Sequence, residues 1–234
     1  MNRVAIMQPY FLPYIGYFQL IDKVDQFVIY DDVQFTKKGW INRNSAPVNN
    51  GIWKFTIACD ASPETSRINE KMISREFSRE KFITRIRSEY RKSLSENKGA
   101  LELLEKVIGF EDNNLFNFIA NSVRELTKYL SIPSNRIIVS SDLGDFTRLK
   151  SQDKVLAICK EVEATHYLNP ISGRHMYSEE VFKNNGLELE FFQPKLDVEE
   201  YFETNLIFSI MYIIISLPQE KVIQLSKLGN ILKP

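Results

Sequence analysis

Three stretches of this chain collect side chains able to bind or transform a small molecule, and each offers a different chemistry. Gln8 to Tyr17 holds two prolines and the tyrosines Tyr10, Tyr14 and Tyr17. A tyrosine presents an apolar ring and a polar tip, so three in one turn suit a surface that stacks on a flat or sugar-like ligand. Gly16 lets a ligand or a neighbouring backbone come close, and the helix that follows has free N–H groups to offer an anion. Asp31 to Asn44 crowds both charges, amides and an indole. The adjacent carboxylates Asp31 and Asp32 are of the kind that hold Mg²⁺, accept a hydroxyl proton or bind an amine. Lys37, Lys38 and Arg43 suit phosphate or carboxylate oxygens, the guanidinium as a two-pronged donor. Gln34, Asn42 and Trp40 add amide contacts and a stacking face. In the third stretch, Tyr167 to Tyr177, residues Asn169, Ser172, the Gly173 backbone, Arg174, His175 and Tyr177 form a phosphate cradle at a helix start. His166, the other histidine, lies inside the preceding strand and reads as structural.

What is missing narrows the chemistry. Two isolated histidines and the distant Cys59 and Cys159 lack zinc-ligand spacing, so no metal ligand set is assigned, and the thiols read as small, reduced core residues. There is no G-x-x-x-x-G-K-[ST], G-x-G-x-x-G or G-x-S-x-G, the fingerprints of P-loop enzymes, standard dinucleotide binders and esterases.

The elements that must position these residues are legible from hydrophobic period and punctuation. Val4 to Met7 is a buried strand, Gln8 to Pro13 an irregular turn, Tyr14 to Asp22 a helix and Gln26 to Tyr30 a second strand. That succession is a βαβ unit, which favours a parallel sheet. A third strand is expected at Ile52 to Ala58. Residues 66–131 turn charged and helix-forming, with helices expected over Arg67 to Ser95, Ala100 to Ile108 and Leu115 to Leu130. The basic residues of the first are interleaved with Glu76, Glu80 and Glu89 and read as a solvated face. The strand–helix rhythm then returns: strand Arg136 to Ser140, helix Ser151 to Val162, strand Thr165 to Leu168, helix Ser178 to Asn184, strand Leu187 to Phe192 and a last helix Asn205 to Leu217.

The expectation is therefore an α/β fold, a Rossmann-like parallel sheet built from residues 1–65 and 132–234 and interrupted by a helical insertion at 66–131. Ligands of such sheets bind beyond the carboxyl ends of the strands. That rule selects the three stretches above together with Ser140 to Gly144.

Composition limits the partners. With 30 Lys and Arg against 30 Asp and Glu in 234 residues, the chain is formally neutral. Broad nucleic-acid or membrane-surface binding is not expected without a clustered excess of cations. The N-terminus lacks a secretory signal, and the longest apolar run, Leu206 to Leu217, is 12 residues, short of the roughly 20 that cross a bilayer. A cytoplasmic protein without membrane insertion is expected, and a homodimer stays open.

The motifs at these loops resemble those of the WbqC-like family: a Q-P-x-[FYL]-x-P-[YW]-x-G-[YF]-[FI] start at Gln8 to Phe18, D-D-V-Q-F-x-[KR] at Asp31 to Lys37, and W-x-N-R at Trp40 to Arg43. The similarity extends to Ile171-Ser172-Gly173-Arg174 with Tyr177. Near the C-terminus the family tends toward S-I-x-D, where this chain has Ser209-Ile210-Met211-Tyr212. The family is associated with bacterial O-antigen and surface-polysaccharide gene clusters, which implies modification of an amino sugar, for instance by an amino acid such as glycine. The order of parts also resembles HIGH-type nucleotidylyltransferases (the HUP class) such as pantothenate synthetase. Tyr14 and Tyr17 stand where those enzymes place the histidines of H-x-G-H. Tyrosine hydroxyls, with a pKa of about 10, are weaker donors to a triphosphate than those histidines.

Together these resemblances imply acyl or aminoacyl transfer to the amine of a nucleotide-linked sugar. Asp31 or Asp32 would handle the amine, Lys37 and Arg43 would bind anionic oxygens, and Tyr10, Tyr14 and Trp40 would stack. Ser172, Arg174 and His175 would hold the phosphates. Two alternatives stay open at this point: an ATP- and Mg²⁺-using nucleotidylyltransferase or ligase, and a non-catalytic protein that holds a sugar nucleotide. No cofactor is assigned.

Overall fold

The structure, a computed structural model, describes residues 1–196 and 208–234. The chain opens with strand β1 (Arg3–Met7), helix α1 (Ile15–Asp22) and strand β2 (Gln26–Ile29). The parallel register of β1 on β2 sets Val4 opposite Gln26 and Met7 opposite Ile29. Next comes a hairpin of β3 (Arg43–Val48) and β4 (Gly51–Thr56), then helices α2 (Arg79–Glu89), α3 (Arg91–Glu96), α4 (Lys98–Ile108) and α5 (Leu115–Tyr129). The chain re-enters the sheet with β5 (Ile137–Val139), followed by α6 (Ser140–Leu143), α7 (Ser151–Glu161), β6 (His166–Pro170), α8 (Glu179–Asn184) and β7 (Glu188–Gln193). Helices α9 (Ile210–Ser216) and α10 (Gln219–Ser226) and strand β8 (Asn230–Leu232) complete it.

Six strands form one sheet in the order β5-β2-β1-β6-β7-β8. All neighbours run parallel except β7 and β8. The chain builds outward from β1 on one side, then crosses from β5 to β6 and builds outward on the other, which is the Rossmann-like order with its reversal between β1 and β6. Both faces are covered, so each strand divides its apolar residues between two cores. Ala5, Phe27, Ile29, Leu168 and Phe192 join the core shared with α1, α2, α4, α5 and α9. Val4, Ile6, Val28, Tyr167, Leu189 and Phe191 join Val155, Ile158 and Cys159 of α7 and Phe182 of α8 on the opposite face.

Three expectations need correction. The strand expected at Ile52 to Ala58 lies outside the main sheet, paired antiparallel with β3 in a hairpin of its own. Strand β3, Arg-Asn-Ser-Ala-Pro-Val, has neither the β-branched content nor the alternation of a core strand, and its Pro47 is tolerated because a two-stranded hairpin leaves each strand a free edge. The helix expected from Arg67 to Ser95 is broken. Residues 71–74 leave the helical path because the backbone N–H of Ile73 donates to Asn113 O and that of Ser74 to Ala58 O. Helix α2 then starts at Arg79, with Ser78 Oγ accepting from Lys81 N. The last helix starts at Ile210, capped by Ser209 Oγ; residues 205–207 lie outside the described residues. Helix α10 and strand β8 had no clear hydrophobic period to announce them. Among the described residues no helix is long and apolar enough to cross a membrane.

Candidate functional site

A cleft of about 390 Å³ opens at the carboxyl ends of β1, β6 and β7, where the strand order reverses. Tyr10, Pro13 and Tyr14 line it from the β1–α1 turn, Trp40 and Asn44 from the start of the hairpin, Pro170, Ile171 and Ser172 from the end of β6, and Pro194 from beyond β7. Three aromatic rings, three proline rings and a few polar tips make a stacking surface. Trp40 is 58% exposed, a large apolar ring left open to solvent.

The turn that carries the tyrosines is fixed by side chains from distant parts of the chain. Phe11 N donates to Ile41 O at 2.9 Å. Asn44 Nδ2 donates to Phe11 O at 3.2 Å and to Leu12 O at 2.8 Å. Ser209 Oγ donates to the same Leu12 carbonyl at 2.7 Å. These contacts hold buried Leu12 in a left-handed conformation, φ 45°, which a branched side chain adopts only when its surroundings compel it. Gly16 serves the cleft indirectly. A Cβ there would stand 2.2 Å from the Tyr14 ring and 2.9 Å from Pro194 Cβ, so the missing side chain is the space in which Tyr14 lies. Burial raises the pKa of Tyr10, and burial followed by the neighbouring Tyr10 raises that of Tyr14; both hydroxyls stay protonated at neutral pH. Tyr17 is fully buried, and its hydroxyl donates to Gln8 O at 3.1 Å. Of the two tyrosines at the H-x-G-H positions, Tyr14 alone reaches the cleft.

The paired carboxylates sit at the end of β2, outside that cleft. Asp31 is buried and accepts from Asn69 Nδ2 at 2.8 Å, Ser141 N at 3.0 Å and Ser141 Oγ at 2.6 Å. Asp32 accepts from Ser140 Oγ at 2.8 Å. Lys154 Nζ lies 2.7 Å from Asp32 Oδ2, a buried ion pair whose alignment is not that of a hydrogen bond. The same ammonium stands 5.1 Å from the centre of the Tyr30 ring. Burial, then Tyr177, Asp32 and Cys159, push the Tyr30 hydroxyl far above its ordinary range.

The remaining expected residues divide among three places. Gln34 Nε2 donates to Glu64 O at 2.8 Å and Lys37 pairs with Glu64 at 3.0 Å, all three residues lining a cleft apart from the aromatic one. Asn42 is buried with Nδ2 donating to Ile57 O at 2.8 Å, and the buried Nε of Arg43 in β3 has no hydrogen-bond partner among the described residues. In β6, Asn169 accepts from Tyr167 O–H at 3.1 Å and donates to Pro170 O, and Tyr167 O–H also meets the Tyr177 hydroxyl at 3.3 Å. A Cβ on Gly173 would meet Asn169 Nδ2 at 2.5 Å, so this glycine makes room for the amide. Arg174 lies over the Phe191 ring at 5.3 Å. His175 is exposed on the same 3-10 turn as Ser172.

The structure thus brings Tyr10, Tyr14, Trp40 and Ser172 into one cleft and sets Asp31 and Asp32 in a separate polar cluster. Sequence reasoning missed Lys154, Asn69 and Pro194, and found Ser209 only as part of the C-terminal motif. For Lys154 there was a signal: it stands one helical turn before Ile158, on the apolar stripe of α7 where a lysine needs a partner. Among the described residues no group of three or more His, Cys, Asp or Glu is placed to hold a metal ion.

Comparison with known proteins adds a family but no reaction. The model of the WbqC-like protein family matches residues 8–214. The uncharacterized protein Rv1507c of Mycobacterium tuberculosis is 28% identical over 206 residues, covering 82% of each chain. No solved structure matches.

Proposed function

This chain belongs to the WbqC-like protein family, and from that premise we propose that it transfers an acyl or aminoacyl group, glycyl being the simplest, to the amine of a nucleotide-linked amino sugar in surface-polysaccharide assembly. The observation that carries this reading is the aromatic cleft at the strand-order reversal, with Tyr10, Tyr14 and the exposed Trp40 converging on one space. Ring faces of this kind take a nucleobase or the apolar face of a sugar.

In this reading the sugar nucleotide lies against Tyr10, Tyr14 and Trp40, and its phosphates run toward Ser172, which shares a 3-10 turn with Arg174 and His175. The amine attacks the activated acyl carbonyl. A C–N bond forms, the bond to the leaving group breaks with its electron pair, and the amine proton passes to His175, whose imidazole makes no side-chain hydrogen bond among the described residues and is exposed. Asp31, whose oxygens accept from Asn69 and Ser141, and Asp32, which accepts from Ser140 Oγ and pairs with Lys154, tie the ends of β2 and β5 together.

The test is to incubate the full chain with UDP- and dTDP-amino sugars and a panel of acyl and aminoacyl donors, and to weigh the sugar nucleotide by mass spectrometry. Gain of an acyl group with loss of the free amine is expected, slowed strongly in His175→Gln at unchanged nucleotide affinity. Tight binding with no mass change for any donor would make the protein a sugar-nucleotide carrier. Pyrophosphate release that requires ATP would make it an adenylating enzyme.

A further inference from the structure

We infer that the cleft between the Thr36–Gly39 turn and the 60–64 loop is a second ligand site, which takes an oxyanion of two or more charges, a phosphate ester or a diphosphate. The cleft, about 350 Å³, is lined by Lys37, Lys38 and Lys71 together with Phe35, Thr36 and Ser62. Against three ammonium groups its lining holds one carboxylate, Glu64. That acid pairs with Lys37 at 3.0 Å, but the two side chains are 83% and 71% exposed. A pair so open to water holds weakly, and an entering anion can draw Lys37 away from it.

Lys71 is the member that calls for a ligand. It is 7% exposed, yet none of the ion pairs among the described residues includes it. Its Nζ donates to Asp60 O at 3.0 Å and to Ser62 Oγ at 2.5 Å, and it stands 5.3 Å from the centre of the Phe35 ring. An ammonium has three N–H donors, so among the described residues one is left without a hydrogen bond. A buried cation with neutral partners is costly, and an anion in the adjoining cleft supplies the missing counter-charge.

The turn places the other two cations. Gly39 N donates to Thr36 O at 3.1 Å, closing a four-residue turn with Lys37 and Lys38 at its corners. A Cβ at Gly39 would stand 2.4 Å from Thr36 Oγ, so glycine keeps the turn tight. None of the residues lining this cleft lines the Trp40 cleft, and the inference does not depend on the transfer reading.

The test is calorimetric titration of inorganic pyrophosphate into the full chain, against a sodium chloride blank of equal ionic strength. Wild type should bind. Lys71→Met should abolish binding, and Lys38→Ala should weaken it about tenfold or more, the loss of one charge-assisted contact. Lys38 is exposed on the turn, so Lys38→Ala keeps the test open if Lys71→Met fails to fold. Trp40→Ala should leave pyrophosphate affinity unchanged. UDP titrated into Trp40→Ala, with and without Lys38→Ala added, separates the two sources of the anion: binding tighter than that of pyrophosphate and weakened by Lys38→Ala assigns a phosphate ester, and any other result assigns a free diphosphate. No heat above the salt blank, equal affinity in Lys38→Ala, or loss of pyrophosphate binding in Trp40→Ala would overturn the site, whatever becomes of sugar-nucleotide binding at Trp40.

Discussion

Gly16→Ala separates a residue that shapes the cleft from one that touches the ligand. The new methyl would collide with the Tyr14 ring at 2.2 Å and with Pro194 at 2.9 Å, so Tyr14 must leave its place. Overpacking of this kind costs about 1–3 kcal/mol. The expected result is a modest fall in the urea midpoint together with a clear loss of sugar-nucleotide affinity; unchanged affinity would mean that Tyr14 is not part of the binding surface. Single residues were legible in the sequence by type but not by partner. Tyr10, Tyr14, Trp40 and Ser172 could be picked out because aromatic and polar side chains crowded into a strand-end loop are unusual. Sequence spacing could not say that Tyr17, three positions after Tyr14, would turn inward and spend its hydroxyl on Gln8. Nor could it say that Asp31 would meet Asn69 and Ser141, because those partners arrive from other elements.

At the scale of elements, the Lys154 and Asp32 pair ties α7 to the end of β2. Lys154→Met strands the buried Asp32 carboxylate and should cost about 3–5 kcal/mol. Adding Asp32→Asn removes that stranded charge and should recover part of the loss. Urea denaturation of the two single variants and the double one checks this, and additive losses would show that the pair is not coupled. The βαβ start and the strand–helix alternation after residue 136 could be read from the sequence because their hydrophobic periods are set by local pleat and helical turn. The β3–β4 hairpin, the break after Glu70 and strand β8 could not. Each depends on backbone partners far along the chain, such as Ala58 and Asn113 for the 73–74 segment and Phe192 opposite Ile231 for β8.

Over the whole molecule, buried acids of high pKa set the alkaline limit. Burial holds the Tyr17 and Tyr167 hydroxyls well above their ordinary 10.0 and pushes the Cys159 thiol from 9.0 up to about 12. In the unfolded chain these groups lose their protons at ordinary values while the folded chain keeps them, so rising pH favours unfolding. Stability from these groups should be complete below about pH 9 and fall as pH climbs from there toward 12. Urea midpoints taken across that range measure it, and a midpoint flat to pH 12 would contradict the burial of these groups. The same burial makes Cys159 slow toward a thiol reagent until the fold opens, with the half-buried Cys59 the faster of the two.

The central claim is that a sugar nucleotide binds on the aromatic rings at the β1–β6 reversal. Calorimetric titration of UDP- and dTDP-amino sugars into wild type and Trp40→Ala tests it most directly. Trp40 is largely exposed, so its removal should change stability by no more than about 0.5 kcal/mol. The loss of one stacking face should weaken binding by about 1–3 kcal/mol, roughly fivefold to 150-fold. Equal affinity in the two proteins, or no sugar nucleotide bound by wild type, would contradict the account.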